Sequence, residues 1–225
     1  MQEVYLKSVS YQIGKRKVEV GKDLEIKSMN SVIGKLEPTN ILYKNMFDKL
    51  KSFDDIFDEV VEKYPNRILD MFPSQLEEDS EEIGLLDSQY FKLVNEEKYL
   101  NFLVEVFEKN DSVCYVEVSA FTQYNDEFLL RLLNELDRID KYILLEQRDI
   151  ILSLSETKYV VKDKHLLKTL FKCLLRELMP IEFYFIERPL IIFNNFDMSL
   201  PLVFKEGKDV KYYKNMAEKH SLFLR

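Results

Sequence analysis

Two glutamates come nearest to a recognised catalytic arrangement. Glu117 lies in an apolar segment, and the triplet Glu146-Gln147-Arg148 follows a second apolar segment. An acidic residue on one strand and an acid-x-Lys pair on the next could bind Mg²⁺ and position a water molecule. Here a helical segment separates the glutamates, and Arg148 cannot replace a catalytic lysine because it does not lose its proton. A metal-dependent phosphodiesterase or nuclease is therefore an alternative function, which predicts that Glu117 and Glu146 line one cleft.

The two cysteines and the two histidines lack the spacing of a nucleophilic or metal site. Cys114 lies in a strand-forming segment and Cys173 in a leucine-rich helical one, so both are expected to be reduced and buried. His165 and His220 are each predicted at a helix end, in contact with solvent. A zinc site would need these side chains to converge without any usual ligand spacing. We therefore expect no catalytic residue, no bound metal and no cofactor.

The glycines do not form a nucleotide-binding loop. Gly14-Lys15 and Gly34-Lys35 lack the earlier glycine and the following Ser or Thr that wrap a phosphate and its Mg²⁺. Two polar groups, Glu187-Arg188-Pro189 and Asn194-Asn195-Phe196-Asp197, interrupt apolar segments. Asn and Asp bond their own backbone and proline sets a turn dihedral, so we interpret both groups as turns.

Charge is distributed unevenly along the chain. The net charge is −8, yet residues 46–111 contain eighteen acidic and seven basic residues, whereas residues 1–45 contain five and eight, and residues 112–225 contain seventeen of each. The densest run comprises Glu77, Glu78, Asp79, Glu81 and Glu82. A negative field attracts basic partners and repels nucleic acid. We therefore predict that these five residues bind a basic protein partner and that the chain does not bind nucleic acid generally.

Composition is typical of a folded chain rather than a disordered one. Hydrophobic residues make up 46% and aromatic residues 13% of the sequence, which is enough for a substantial core. No segment approaches the ~18 apolar residues of a membrane span, and the polar first residues do not resemble a signal peptide. These features predict a soluble, cytoplasmic protein without membrane binding, folded as a single globular domain over residues 1–225.

Hydrophobic periodicity predicts an α+β fold with three regions. Residues 1–36 alternate like an N-terminal β-meander, and residues 38–111 form an acidic helical segment with Pro38 at a first helical position. Residues 112–225 are predicted to form a mixed α/β sheet region. There, strands over 112–118 and 142–145 flank a helix, which suggests one parallel βαβ crossover.

The rest of the third region alternates between further strands and helices. A hairpin is predicted from residues 150–154 and 159–161, followed by a helix that Asp163 caps and Pro180 ends. The expected later elements are strands over 181–187, 190–193 and 201–204, a helix after Gly207, and a last strand over 222–224 that joins a sheet.

These observations favour a non-catalytic, intracellular protein-binding module. The concrete expectation is an acidic protein of the immunity or antitoxin type, which would cover the basic active face of a toxin. Besides the metal-dependent enzyme, a structural subunit of a larger assembly is a further alternative, and it predicts a large exposed apolar patch.

Overall fold

A computed structural model describes residues 12–13, 16–17, 34–39, 56–77, 80–118, 126–153 and 158–225. The chain divides into two units, Met1–Val32 and Ile33–Arg225. In the first unit, β1 (Gln12–Ile13) and β2 (Arg16–Lys17) form an antiparallel hairpin. The predicted β-meander is confirmed for this hairpin alone, because the rest of residues 1–32 lies outside the described residues. The single domain over the whole chain stays a prediction.

The second unit combines helices with one antiparallel sheet, which confirms the α+β class. Its eight strands have the spatial order β10-β4-β9-β8-β7-β5-β6-β3. The helices are α1 (Ile56–Lys63), α2 (Ile83–Leu86), α3 (Gln89–Glu108), α4 (Asp126–Glu135), α5 (Arg138–Ser153), α6 (Lys164–Leu175) and α7 (Gly207–Lys219). The strands are β3 (Glu37–Pro38), β4 (Asn66–Asp70), β5 (Cys114–Val118), β6 (Lys158–Val161), β7 (Ile181–Phe185), β8 (Leu190–Ile192), β9 (Leu200–Phe204) and β10 (Phe223–Leu224). In the described part of the chain, no helix is both long enough and apolar enough to cross a membrane.

Both outer strands of this sheet are two residues long. β10 pairs with β4, which confirms the predicted last strand. At the opposite end, β3 pairs with β6 and contains Pro38. The prediction that Pro38 begins a helix is therefore wrong. Proline has no N–H to donate to a strand ladder, and an outer strand tolerates that loss.

The predicted parallel crossover is also wrong, because residues 142–145 lie inside helix α5. Asp137 begins this helix by accepting hydrogen bonds from the N–H groups of Ile139 and Asp140, at 2.9 and 3.0 Å. Both neighbours of β5 in the sheet, β6 and β7, run antiparallel to it. Residues 150–153 continue α5, so the predicted hairpin of residues 150–154 with 159–161 does not form either. The fold therefore contains two successive helices, α4 and α5, between β5 and β6.

The acidic middle region is not entirely helical. Helices α1 and α3 confirm part of the predicted helical segment, but Asn66–Asp70 forms strand β4 inside the sheet. β4 pairs with β9 on one side and with β10 on the other. Beyond it, the Asp163 cap, the strands β7 to β9 and the helix after Gly207 are as predicted.

The two faces of the sheet are covered differently. Alternate residues of β5, namely Cys114, Val116 and Val118, point into the main core, which includes buried residues of α3, α5, α6 and α7. In that core Phe171 of α6 packs edge-on against Phe183 of β7, with ring centroids 5.2 Å apart. The opposite face carries a smaller cluster of Val60, Tyr184, Ile191, Phe193 and Val203, covered by α1.

One buried ion pair connects α3 to the end of α6. The Arg176 guanidinium donates through Nε and Nη2 to the two carboxylate oxygens of Glu96, at 2.7 and 2.8 Å. The side chain of Glu96 is only 9% exposed. Bidentate pairs of this kind combine charge attraction with fixed geometry, so this one sets how the two helices meet.

Candidate functional site

The described residues of the acidic run lie on the surface, between β4 and α2. Glu77, Glu81 and Glu82 are exposed, and Glu78 and Asp79 lie outside the described residues. Among the residues that the structure describes, none of these three carboxylates forms an ion pair. Their charge is therefore not compensated by a described neighbour.

Directly after this run, α2 and the first turns of α3 expose apolar side chains. Tyr90, Leu93 and Val94 lie at helical spacing on one side of α3, and they are 78%, 48% and 49% exposed. On α2, Ile83 and Leu85 are also exposed. The helical pattern of the sequence is clear only after Asn95, so it does not indicate this surface. The residue that marks the start of α3 is Ser88, whose hydroxyl caps the helix by accepting a hydrogen bond from the Phe91 N–H at 3.3 Å.

A cavity of about 220 Å³ opens beside α2, and we call it the α2 cavity. Its apolar wall consists of Phe72, Leu76, Ile83 and Leu86. The acidic run connects two of these wall residues, because Glu77 follows Leu76 and Glu82 precedes Ile83. Glu77 and Glu82, both exposed, are therefore the chain neighbours of two residues that line the apolar wall.

The polar part of the α2 cavity is an internally paired carboxylate. Asp70 is buried and accepts hydrogen bonds from Arg225 Nη2 at 2.6 Å, Ser199 Oγ at 2.8 Å and the Phe72 N–H at 3.0 Å. Because Arg225 offsets the charge of Asp70, the negative charge of the lining comes from exposed Asp197. The exposed Glu77 and Glu82 add negative charge next to the wall residues Leu76 and Ile83 in the chain.

A second cavity of about 210 Å³, the α3 cavity, lies on the same surface. Leu93 and Met198 contribute apolar wall to it, and the exposed residues Glu135 and Glu177 contribute negative charge. Consecutive residues of one loop line the two cavities, since Asp197 borders the α2 cavity and Met198 the α3 cavity. The cavities are therefore neighbours on either side of this loop.

That loop, residues 194–199, confirms the predicted turn. Asn195 Nδ2 donates to the Ser199 carbonyl at 3.0 Å, and the Asp197 N–H donates to Glu177 Oε1 at 2.9 Å. Phe196 at its tip is 71% exposed. The loop thus adds a large apolar side chain to the surface formed by α2 and α3.

The predicted turn at Glu187-Arg188-Pro189 is confirmed as well, and it is fixed by buried partners. Asn110 Oδ1 accepts a hydrogen bond from the Arg188 N–H at 2.8 Å, and the Tyr213 hydroxyl donates to the Arg188 carbonyl at 2.7 Å. The Arg188 guanidinium lies 3.8 Å from the centre of the Tyr212 ring. This turn connects the sheet to α3 and α7.

The structure separates the two glutamates of the alternative enzyme hypothesis. Glu146 is exposed on α5, whose Ile143 and Leu144 pack in the main core together with Val116. Glu117 alternates with Val116 along β5 and so points to the other face of the sheet. The prediction that Glu117 and Glu146 line one cleft is therefore wrong.

Glu117 instead lies in a row of charged residues across three strands. It is opposite Lys158 of β6 and opposite Glu182 of β7. Burial raises the pKa of Glu182, while a hydrogen bond from the Tyr184 hydroxyl and the charge of Lys158 act in the opposite direction. Neither the α2 cavity nor the α3 cavity is lined by this row. Across the described ranges, no group of three acidic, histidine or cysteine side chains is placed to hold a metal ion.

Gln147, the middle residue of the predicted triplet, has a structural contact. It is 1% exposed, and its Oε1 accepts a hydrogen bond from the Leu36 N–H at 3.0 Å. The side chain therefore ties the segment before β3 to α5, and it explains why a polar residue occurs in the middle of an apolar helix face.

Both cysteines are free and buried, as predicted. Burial raises the pKa of Cys173 to about 12 and also raises the pKa of Cys114. Nucleophilic chemistry needs the thiolate, which burial disfavours at both positions.

We expect neither thiol to react with a thiol-specific reagent in the native protein at neutral pH. Both should react rapidly once denaturant unfolds the chain, since exposure restores ordinary thiolate populations. A colorimetric thiol assay, with and without denaturant, measures this difference. Rapid labelling of either cysteine in the folded protein would contradict the prediction.

The two histidines differ in their surroundings. His165 is exposed on α6, as predicted. The prediction that His220 is solvated is wrong. Its side chain is only 17% exposed, and its Nε2 lies 2.8 Å from Glu105 Oε2. Lys219 donates to the same oxygen at 2.7 Å, and this hydrogen bond lowers the pKa of Glu105.

We expect the Glu105 cluster to stabilise the fold only above the pH at which this carboxyl is protonated. The folded protein has a lower pKa for Glu105 than the unfolded chain, so the stabilisation is present above the ordinary value of 4.5 and is lost as the pH falls through the folded value. Urea unfolding of Glu105→Gln and of the parent protein measures it. The difference between them should be present at neutral pH and shrink as the pH falls below 4.5; a difference independent of pH would contradict the prediction.

The surface around α2, the start of α3 and loop 194–199 therefore combines exposed carboxylates, exposed apolar side chains and two cavities. We call it the α2–α3 surface. Within its cavities, Asp70 pairs with Arg225 and Glu96 pairs with Arg176. Comparison with protein-family models, with curated proteins and with solved structures finds no match to this chain.

Proposed function

We propose that this protein is a non-catalytic binding module of the cytoplasm that recognises a basic protein through its α2–α3 surface. The observation that carries the proposal is the position of Glu77, Glu81 and Glu82, which are exposed next to the exposed apolar residues of α2 and α3. Residues 77–97 contain eight acidic residues and one basic residue. Charge of one sign increases the rate at which a partner of the other sign associates.

Apolar side chains supply binding affinity that charge alone does not. Exposed rim charges contribute little net affinity, whereas aromatic and aliphatic residues that become buried in an interface contribute most of it. Tyr90 and Phe196 are the two most exposed large apolar side chains of the surface. The concrete form of the function is a protein of the immunity or antitoxin type, which neutralises a toxin by covering its basic active face.

The test compares two variants with equal net charge. The first neutralises the acidic run through Glu77→Gln, Glu78→Gln, Asp79→Asn, Glu81→Gln and Glu82→Gln. The second neutralises five glutamates exposed elsewhere, through Glu62→Gln, Glu108→Gln, Glu146→Gln, Glu187→Gln and Glu218→Gln. Tagged parent and variant proteins are incubated with native lysate at low and at high salt, and captured proteins are identified and quantified.

We expect the parent protein and the second variant to capture one basic protein in a stoichiometric amount at low salt. The first variant should capture it at least about tenfold less, and high salt should release it from all three. Equal capture by the two variants would show that net charge rather than the α2–α3 surface matters. Capture that depends neither on the salt concentration nor on the acidic run would contradict the proposal.

A further inference from the structure

The α2 cavity has an apolar wall and the exposed acidic residue Asp197 in its lining, and its dimensions suit a side chain rather than a whole ligand. Its volume of about 220 Å³ is below the ~300–1,000 Å³ of typical small-molecule sites. An aliphatic or aromatic side chain that enters such a cavity from a partner loses its contact with water and gains the stabilisation of apolar burial.

The wall of this cavity is held in place before any partner binds. Phe72 stacks on Phe91 of α3, with ring centroids 5.9 Å apart and an interplanar angle of 19°. Asp70 fixes the backbone of the same segment by accepting a hydrogen bond from the Phe72 N–H. A preformed cavity lowers the ordering cost of binding.

The charge around the cavity determines which chain can approach it. Asp197 is exposed and belongs to the lining, and the exposed Glu77 and Glu82 adjoin the wall residues Leu76 and Ile83 in the chain. Among the described residues that line the cavity, Arg225 is the only cationic one, and Asp70 pairs with it. Lysine or arginine residues on either side of an apolar side chain would therefore meet carboxylates, whereas acidic residues there would be repelled.

We propose that the α2 cavity binds one apolar side chain of a basic segment, with lysines or arginines flanking it on the partner. This inference rests on the proposed function and adds the partner's local chemistry to it. The occupant is a segment of another protein in which an aliphatic residue lies between basic residues. Charge supplies the first attraction, and burial of the apolar side chain supplies the specificity.

The test uses three synthetic peptides and the intact protein, with binding measured by fluorescence anisotropy. The first peptide is rich in lysine and arginine and has one central leucine. The second differs only by alanine in place of that leucine, and the third keeps the leucine but replaces the basic residues by glutamate. We expect the first peptide to bind about tenfold more tightly than the second, and the third not to bind.

A pair of protein variants tests whether the preference for the leucine peptide arises at the α2 cavity. Ile83→Gln alters a wall residue that is 36% exposed, and Ile139→Gln makes the same change at a side chain that is 69% exposed outside the surface. We expect Ile83→Gln to reduce the preference for leucine over alanine severalfold, and Ile139→Gln to leave it unchanged. The peptide comparison on the parent protein decides the question even if Ile83→Gln proves unstable.

Each other outcome of these experiments contradicts the cavity inference, the proposed function or both. If the leucine and alanine peptides bind equally and the acidic-run variant binds neither, the cavity inference fails and the proposed function stands. If neither basic peptide binds, both fail. If light scattering shows that the protein self-associates and Ile83→Gln abolishes this, the occupant is a second copy of the chain, and the inference of a basic segment is overturned.

Discussion

Arg176→Ala lowers the free energy of unfolding by about 3 kcal/mol, because it leaves the carboxylate of Glu96 buried without its cation. The pair is bidentate, and Glu96 is only 9% exposed. Arg176 itself is 23% exposed, which places the effect at the lower end of the range for buried pairs. Urea unfolding with an unchanged m-value measures the loss.

The control is Lys164→Ala, which removes an exposed ion pair to Glu108 at 3.4 Å and should change stability by less than about 0.5 kcal/mol. The double variant Glu96→Leu with Arg176→Met should recover most of the loss, because neither partner then stays charged and buried. Equal stability of Arg176→Ala and the parent protein would show that water reaches Glu96 freely.

Phe183→Ala should lower the free energy of unfolding by about 3–5 kcal/mol, and it is the larger of the two effects. Phe183 is fully buried on β7 and packs edge-on against Phe171 of α6, so its truncation leaves a cavity between the sheet and a helix. Since typical domains are stable by only about 5–15 kcal/mol, the variant should unfold at a much lower temperature. Circular dichroism on heating measures this shift.

Phe196→Ala is the matched control, because it removes the same atoms from a side chain that is 71% exposed. Its stability should stay within about 0.5 kcal/mol of the parent. The proposed function adds that Phe196→Ala weakens partner capture although it leaves the fold intact. A similar loss of stability in both variants would contradict the packing described here.

The sequence identified those elements whose signals are local. Asp163 sits three residues before the N–H that it caps, and the side chain accepts that hydrogen bond at 2.8 Å. The strands β7 to β9 are short apolar runs bounded by turns whose residues fix the backbone. Such features need no knowledge of distant parts of the chain.

Helix α5 shows where local patterns become ambiguous. Four apolar or aromatic residues in succession, 142–145, suit a buried strand as well as a helix. The pattern that distinguishes the helix includes polar as well as apolar residues. In the part of α5 whose burial is described, residues 138–148, the buried residues are Asp140, Ile143, Leu144 and Gln147, at helical spacing. Asp140 is buried because it accepts a hydrogen bond from Thr169 Oγ1 at 2.6 Å, a contact made by residues far apart in sequence.

Of the features of the candidate site, only its negative charge was predictable from the sequence. The sequence indicated the acidic run through its composition. The α2 cavity depends on packing between β4, α2 and loop 194–199, and no sequence window contains all three. Likewise, the position of Glu182 opposite Glu117 follows from strand register, which a single sequence does not reveal.

The two-residue outer strands of the sheet affect how readily copies of this protein aggregate with one another. An unpaired strand edge is a template on which another chain can add a strand, and long edges of this kind seed fibrils. Here β3 offers two residues, one of them a proline without an N–H and the other the charged Glu37, and β10 offers only two more. The longer strands are all interior to the sheet. A crowded solution of this protein should therefore resist conversion to cross-β aggregates.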